Sequence, residues 1–139
     1  MLDKLSVYQL KITIKDSRPP IWRRLLLPSS ATFWELHIAI QDSFGWKDYH
    51  LHEFFIGSAW DRNVIRINIP NPENDIYGEE KEPLDESKTK LYEYLNAKRS
   101  KVTYVYDFGD NWEHQIILEK ELEVISKLFV NKSRYMQVQ

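Results

Sequence analysis

Two runs of alternating apolar residues, joined by a short polar loop, constrain this chain more than any other feature. From Lys101 to Phe108 and from Trp112 to Lys120, large apolar or aromatic side chains recur at every second position, with Gly109-Asp110-Asn111 between the runs. That period is the mark of a half-buried strand, and two such runs across a turn-forming tripeptide make a β-hairpin. A three-residue loop places Phe108 opposite Trp112, Tyr106 opposite His114, Tyr104 opposite Ile116 and Val102 opposite Leu118. This register gathers the apolar side chains on one face, whereas a slip of one residue would turn them outward. It also sets Asp107 across from Glu113, a like-charge pair that costs roughly a few tenths to 1 kcal/mol. Such a pair calls for a metal ion, a bound cationic group, or an arginine; Arg18, Arg23 and Arg24 are the candidates.

The remaining segments fit around that hairpin. Tyr8, Leu10, Ile12 and Ile14 alternate with polar residues as one strand, and Ile21–Leu27 returns as a second after the Asp16–Pro20 turn. In the second strand, Ile21, Leu25 and Leu27 share a face. Thr32-Phe33-Trp34-Glu35 reads as a capping box that opens a helix. Phe33, Leu36, Ile40 and Phe44 lie on one side of that helix, with His37 at the edge, and Gly45 is placed to stop it. His50, His52, Phe54 and Ile56 alternate in a third strand, and Asn63–Ile69 offers a fourth. Residues 71–88 read as an acid-rich solvated loop, Leu91–Leu95 as a short helical turn, and Leu122, Ile125, Leu128 and Phe129 as a terminal helix. The expected fold is α+β: two hairpins plus one or two further strands in a mixed or antiparallel sheet, one main helix packed across it, with a β-grasp layout as one option. Phe108, Trp112, Tyr106 and Ile116 are expected in one core with Phe33, Leu36 and Ile40.

Composition narrows the function classes. The 139 residues suit a single domain with a real core. The net charge of −2 gives no broad basic footprint for nucleic acid. The absence of cysteine removes disulfides, thiolate nucleophiles and cysteine-based metal sites. The N-terminus lacks an apolar signal region and no apolar run approaches the ~18 residues of a membrane helix, so a cytoplasmic protein with no membrane partner is expected.

The chemistry-bearing residues collect in Tyr106–His114, where three acids, three aromatics and a histidine share nine positions. With the third strand, this gives a candidate ligand site of His50, His52, Glu53, Asp107, Asp110, Trp112 and His114. A divalent metal on His50, His52, His114 and Asp110 is the alternative, since alternate strand positions can aim two imidazoles at one ion. Trp22, Arg23, Arg24 and Arg62, with Trp60 beside the last, mix cation and ring in a manner that can stack on bases. Asp107-Phe108-Gly109 matches the metal-binding triplet of kinases, but neither a glycine-rich loop nor a catalytic loop accompanies it.

Four ordered blocks also carry a resemblance: Pro19-Pro20-Ile21-Trp22-Arg23-Arg24; Leu36-His37-Ile38-Ala39-Ile40-Gln41 with Phe44-Gly45-Trp46; His50-Leu51-His52-Glu53-Phe54; and Tyr106 to His114. Over residues 7–120 the chain resembles the Ri-plasmid (pRiA-type) ORF-3-like family, relatives of which are named as passenger proteins of insertion elements. The resemblance implies mobile-element company and brings no catalytic residues. Family members commonly continue into a Cys-, Pro- and Gly-rich segment and an acidic tail; residues 121–139 depart from that, as a divergent or shortened tail. The leading expectation is a non-enzymatic module that binds a protein, peptide or small ligand. The alternatives are a metal-dependent hydrolase, with phosphodiesters as one substrate option, and a nucleic-acid accessory protein.

Overall fold

The computed structural model describes residues 4–48, 50–58, 61–69, 83–107, 109–125 and 136–138. In chain order these form β1 (Lys4–Ile14), β2 (Trp22–Pro28), α1 (Phe33–Phe44), β3 (His52–Ile56), β4 (Ile65–Asn68), β5 (Leu84–Asp85), α2 (Leu91–Tyr94), β6 (Lys101–Tyr106), β7 (Trp112–Ile125) and β8 (Met136–Val138). All the strands join one sheet in the order β5-β4-β3-β6-β7-β1-β2-β8. Neighbours are antiparallel except β4 and β5, which run parallel.

This corrects the expected fold class. The described residues form an eight-stranded mixed sheet with two short helices, not a small two-hairpin sheet under one main helix. Three extensions account for the difference. β7 continues past Lys120 as far as Ile125, pairing Leu122 with Val7 and Val124 with Leu5, so Leu122 and Ile125 belong to a strand and not to a terminal helix. Leu84–Asp85 adds to β4, and Met136–Val138 adds to β2, covering edges that would otherwise leave their peptide groups unpaired. Leu128 and Phe129 lie outside the described residues, as do 71–82 of the expected loop.

The elements themselves follow local chemistry. Thr32 accepts the Glu35 amide at 3.1 Å while Glu35 takes the Thr32 amide at 3.2 Å, completing the capping box. Gly45 closes α1 at φ 74°, a left-handed conformation open to glycine without strain. One face of the sheet packs Tyr8, Leu10, Ile12, Leu25, Leu27, Phe54, Ile67, Val102, Tyr104, Tyr106 and Ile116 against Phe33, Leu36, Ala39 and Ile40 of α1. Tyr106, Ile116, Phe33, Leu36 and Ile40 thus share one core. Trp112 is 46% exposed and leaves it, Ile21 is exposed at the start of β2, and Phe108 lies outside the described residues. Among the described residues, no helix is long and apolar enough to cross a membrane.

The final hairpin keeps its faces and changes its register. Tyr106 opposes Trp112, Tyr104 opposes His114 and Val102 opposes Ile116, so the loop spans five residues where three were expected. A two-residue shift preserves which side chains face inward. Val105, not Asp107, lies across from Glu113. The anticipated carboxylate clash is absent: Glu113 meets Lys15 at 3.4 Å, and Asp107 leaves the strand at φ 63°.

Candidate functional site

The stack that leads to the surface begins at the end of α1. Phe44 lies on the last turn of the helix, and the Gly45 cap swings Trp46 back over the sheet. There Trp46 stacks on Phe44 with ring centroids 5.0 Å apart and on Tyr106 of β6 at 5.2 Å. Trp112, opposite Tyr106 at the mouth of the hairpin, lies 6.2 Å from Trp46. Arg23 donates to the Ser43 carbonyl at 2.9 Å and places its guanidinium 4.8 Å over Phe44, capping one end of the stack.

The other end meets the hairpin loop. His50 lies edge-on to Tyr106 at 5.6 Å, and its Nε2 is 3.7 Å from Asp107 Oδ2. Asp107 Oδ1 accepts the Gly109 and Asp110 amides, which tightens the loop, while the Asp107 amide donates to the Leu51 carbonyl at 2.8 Å. Leu51 is 61% exposed, and Asp110 stands exposed at the tip. Of the residues expected to form a ligand site, the fold therefore brings His50 and Asp107 together beside Trp112, with Asp110 on the same loop.

His52, Glu53 and His114 lie elsewhere. Glu53 points to the opposite face of the sheet, where Arg66 and Asn68 donate to its carboxylate. His114 is fully buried beneath Trp46 and Phe44. Its Nδ1 is 3.3 Å from the Tyr104 carbonyl, and its Nε2 has no hydrogen-bond partner among the described residues. Burial pushes this imidazole down to about 4, against a smaller upward pull from the Tyr104 and Trp112 carbonyls, so it is neutral near pH 7.

His52 belongs to a second, interior cluster. Its Nε2 lies 2.7 and 2.9 Å from the two oxygens of Glu86, which is only 1% exposed. Its ring stacks on His37 with centroids 3.5 Å apart and planes 10° from parallel. Around His37 one direction of donation satisfies every member. The Asp48 amide donates to Gln41 Oε1, Gln41 Nε2–H to the Tyr104 hydroxyl, Tyr104 O–H to His37 Nδ1, and His37 Nε2–H to Asp48 Oδ1. Burial, with His52 adding to it, holds His37 down to about 4 despite the opposing pull of Asp48; burial also pushes the Tyr104 phenol up. Both groups therefore stay in the neutral forms that the ring of bonds requires.

His37, Asp48 and His52 each offer a donor atom within 4.8 Å of the other two. That spacing fits a metal, but the ring directions do not. Imidazole lone pairs lie in the ring plane, and two planes stacked face to face send them side by side, so one ion about 2.0–2.1 Å from both nitrogens would sit out of plane for at least one ring. One ring would have to swing away and break its hydrogen bonds. The histidine set expected from the sequence is divided: His50 is outside with Asp107, His52 inside with Glu86, and the Tyr104 ring lies 6.1 Å from His52 and 5.3 Å from His114.

The residues singled out for nucleic acid are spread over different contacts. Lys11 and Arg24 lie over Trp22, and Arg24 forks onto Glu119 at 2.7 and 3.0 Å. Arg23 faces α1 as described above, Arg62 is exposed in the turn before β4, and Trp60 lies outside the described residues.

Trp46, His37, Asp48, Glu86 and Tyr104 organise both clusters and were not singled out as site residues. An aromatic directly after a helix-stopping glycine was the available signal for Trp46. Nothing local separates Glu86 from the solvated acids around it.

Residues 6–135 match the plasmid pRiA4b ORF-3-like protein family. An uncharacterized protein, y4hQ, of Sinorhizobium fredii (strain NBRC 101917 / NGR234) is 30% identical over 121 residues, which covers 86% of this chain and 57% of that protein. The chain thus spans little more than half the length of that curated relative. Among solved structures, protein MM3350 of unknown function from Methanosarcina mazei Go1 superposes with a TM-score of 0.80 at 33% identity, covering 97% of this chain and 69% of the other. The blocks quoted from the sequence, the extent of the match and the shared fold agree, and the chain belongs to the plasmid pRiA4b ORF-3-like family.

Proposed function

We propose that this protein is a non-enzymatic binding module whose contact surface is the exposed Trp112 indole beside the Phe44–Trp46–Tyr106 stack. One observation carries the reading: Trp112, 46% exposed, lies 6.2 Å from Trp46 at the edge of that stack, where the final hairpin turns. Indoles left at a surface beside hydrogen-bonding groups are the residue type on which interfaces concentrate their binding energy. A rigid base favours the same use, because Trp46 is wedged between two rings and has little freedom to lose on binding.

The two alternatives have less support. The His37 and His52 imidazoles are already paired, and a hydrolytic metal would need them rearranged. Trp22 and Arg24 are engaged with Lys11 and Glu119, so they present no free cation-and-ring pair to a base. The family's name speaks of a plasmid reading frame and specifies no chemistry.

Selection of a random peptide library on the intact protein tests the reading. Enriched peptides should lose binding to the Trp112→Ala variant and shift the backbone amides of Trp46, His50, Leu51 and Trp112 in NMR spectra. A library that enriches nothing above blank, or peptides indifferent to Trp112→Ala, would defeat it.

A further inference from the structure

Resting on the platform reading and naming its ligand, we infer that the exposed Trp112 indole at the edge of the aromatic stack takes the guanidinium of an arginine side chain in a partner polypeptide. The protein shows its own version of this contact. Arg23 lies 4.8 Å over Phe44 at the closed end, Arg66 lies 4.9 Å over Phe55, and Lys11 and Arg24 lie 4.8 and 5.0 Å over Trp22. Among the described residues, the Trp112 indole has no cation over it and is 46% exposed, whereas Trp46 is stacked on Phe44 at 5.0 Å and on Tyr106 at 5.2 Å. Indole is the best of the aromatic rings for attracting a cation.

Charge complementarity selects the occupant. Asp110 is exposed two residues before Trp112, and Asp107 sits across the loop with its second oxygen turned toward His50. A planar guanidinium can lie flat on an indole while its edge N–H groups reach a carboxylate, a combination a lysine ammonium does not match. The platform is open, whereas small molecules prefer concave sites. Among the described residues, a cavity of about 420 Å³ has Thr13, Lys15, Thr103, Glu113 and Gln115 in its lining, whose strand positions put them on the opposite face from Tyr104 and Tyr106. A surface of this shape suits a polypeptide segment laid across it.

The test uses three capped pentapeptides, Gly-Gly-Xaa-Gly-Gly, with arginine, lysine or citrulline at the centre, titrated into the full chain at low salt. Citrulline keeps the shape of arginine and removes its charge. The arginine peptide is expected to bind tightest, with citrulline weaker by about fivefold or more, and to shift the indole N–H signals of Trp46 and Trp112. Asp110→Asn should weaken arginine and leave citrulline unchanged, and added salt should weaken arginine most. Equal binding of arginine and citrulline, with the indole signals still responding, would overturn the arginine assignment and leave the platform in place. Arginine binding that survives Trp112→Ala would place the contact elsewhere and overturn the platform as well. If none of the three peptides shifts an indole signal, the arginine assignment fails, and the peptides enriched from the random library decide the platform independently.

Discussion

Glu86→Ala should destabilise this protein far more than the loss of a surface acid. Glu86 is 1% exposed and His52 is 6% exposed, so neither group has water to fall back on. Both Glu86 oxygens lie within 2.9 Å of His52 Nε2. Removing one partner of a buried, hydrogen-bonded pair typically costs about 3–5 kcal/mol, because the other is left without compensation. The Glu86 backbone adds no further loss, since its contacts with Trp34 N and Asn68 O survive the substitution. Glu86→Gln keeps the volume and one acceptor for an Nε2–H donor but loses the second oxygen, which should limit the cost to about 1–2 kcal/mol. Replacing both members, as in Glu86→Leu with His52→Leu, should cost less than the sum of the two single changes, because no polar atom is left orphaned. Urea unfolding followed by circular dichroism reads these differences. With a slope of about 1–3 kcal/mol per molar for a small protein, Glu86→Ala should lower the midpoint by roughly 2 M. A loss below about 0.5 kcal/mol would refute the reasoning, since that is the response of a solvated glutamate.

Two further outcomes test the packing and the protonation states. Ile116→Ala, at a fully buried position on the core face, should cost about 2–5 kcal/mol, while Trp112→Ala should stay within about 1 kcal/mol despite its larger ring; chemical denaturation of both variants checks the contrast. His37 and His114 are each held down to about 4, below the usual 6.5 of an unfolded chain. The unfolded state therefore binds more protons between those values, and stability present above pH 6.5 is lost as the pH falls toward 4, on the order of 3 kcal/mol for each imidazole. Urea midpoints that do not fall between pH 7 and pH 4.5 would contradict that assignment.

How far the sequence reveals the fold depends on the range over which each signal acts. The helix was readable from end to end because its signals are local: Thr32 and Glu35 open it, Phe33, Leu36 and Ile40 mark one face, and Gly45 closes it. The strands were readable wherever one face is buried, since alternation is a consequence of burial. Leu84–Asp85 has no such pattern, because a two-residue strand takes its identity from the partner it pairs with. Glu86 is a harder case. Its segment has the composition of a solvated loop, and burial is imposed on it by His52, 34 positions earlier in the chain. His37 showed its place at the border of an apolar face, but its partners Asp48 and Tyr104 come from a loop and a distant strand.

The hairpin shows why residue types can be read correctly while their neighbours are not. Face membership depends on odd or even position, so the five-residue loop leaves Tyr104, Tyr106, His114 and Ile116 on the side where a three-residue loop would also put them. Adjacency depends on the actual count. With two more residues in the turn, Asp107 no longer opposes Glu113 and no longer needs a buried cation to offset it. Instead it takes a left-handed conformation at φ 63°, as Asn111 does at φ 56°, and aspartate and asparagine are among the side chains that tolerate that region best. The same turn moves the Asp107 carboxylate out of the sheet and toward His50, beside the exposed Trp112. In the proposed arginine contact, this acid and Asp110 supply the negative charge beside Trp112.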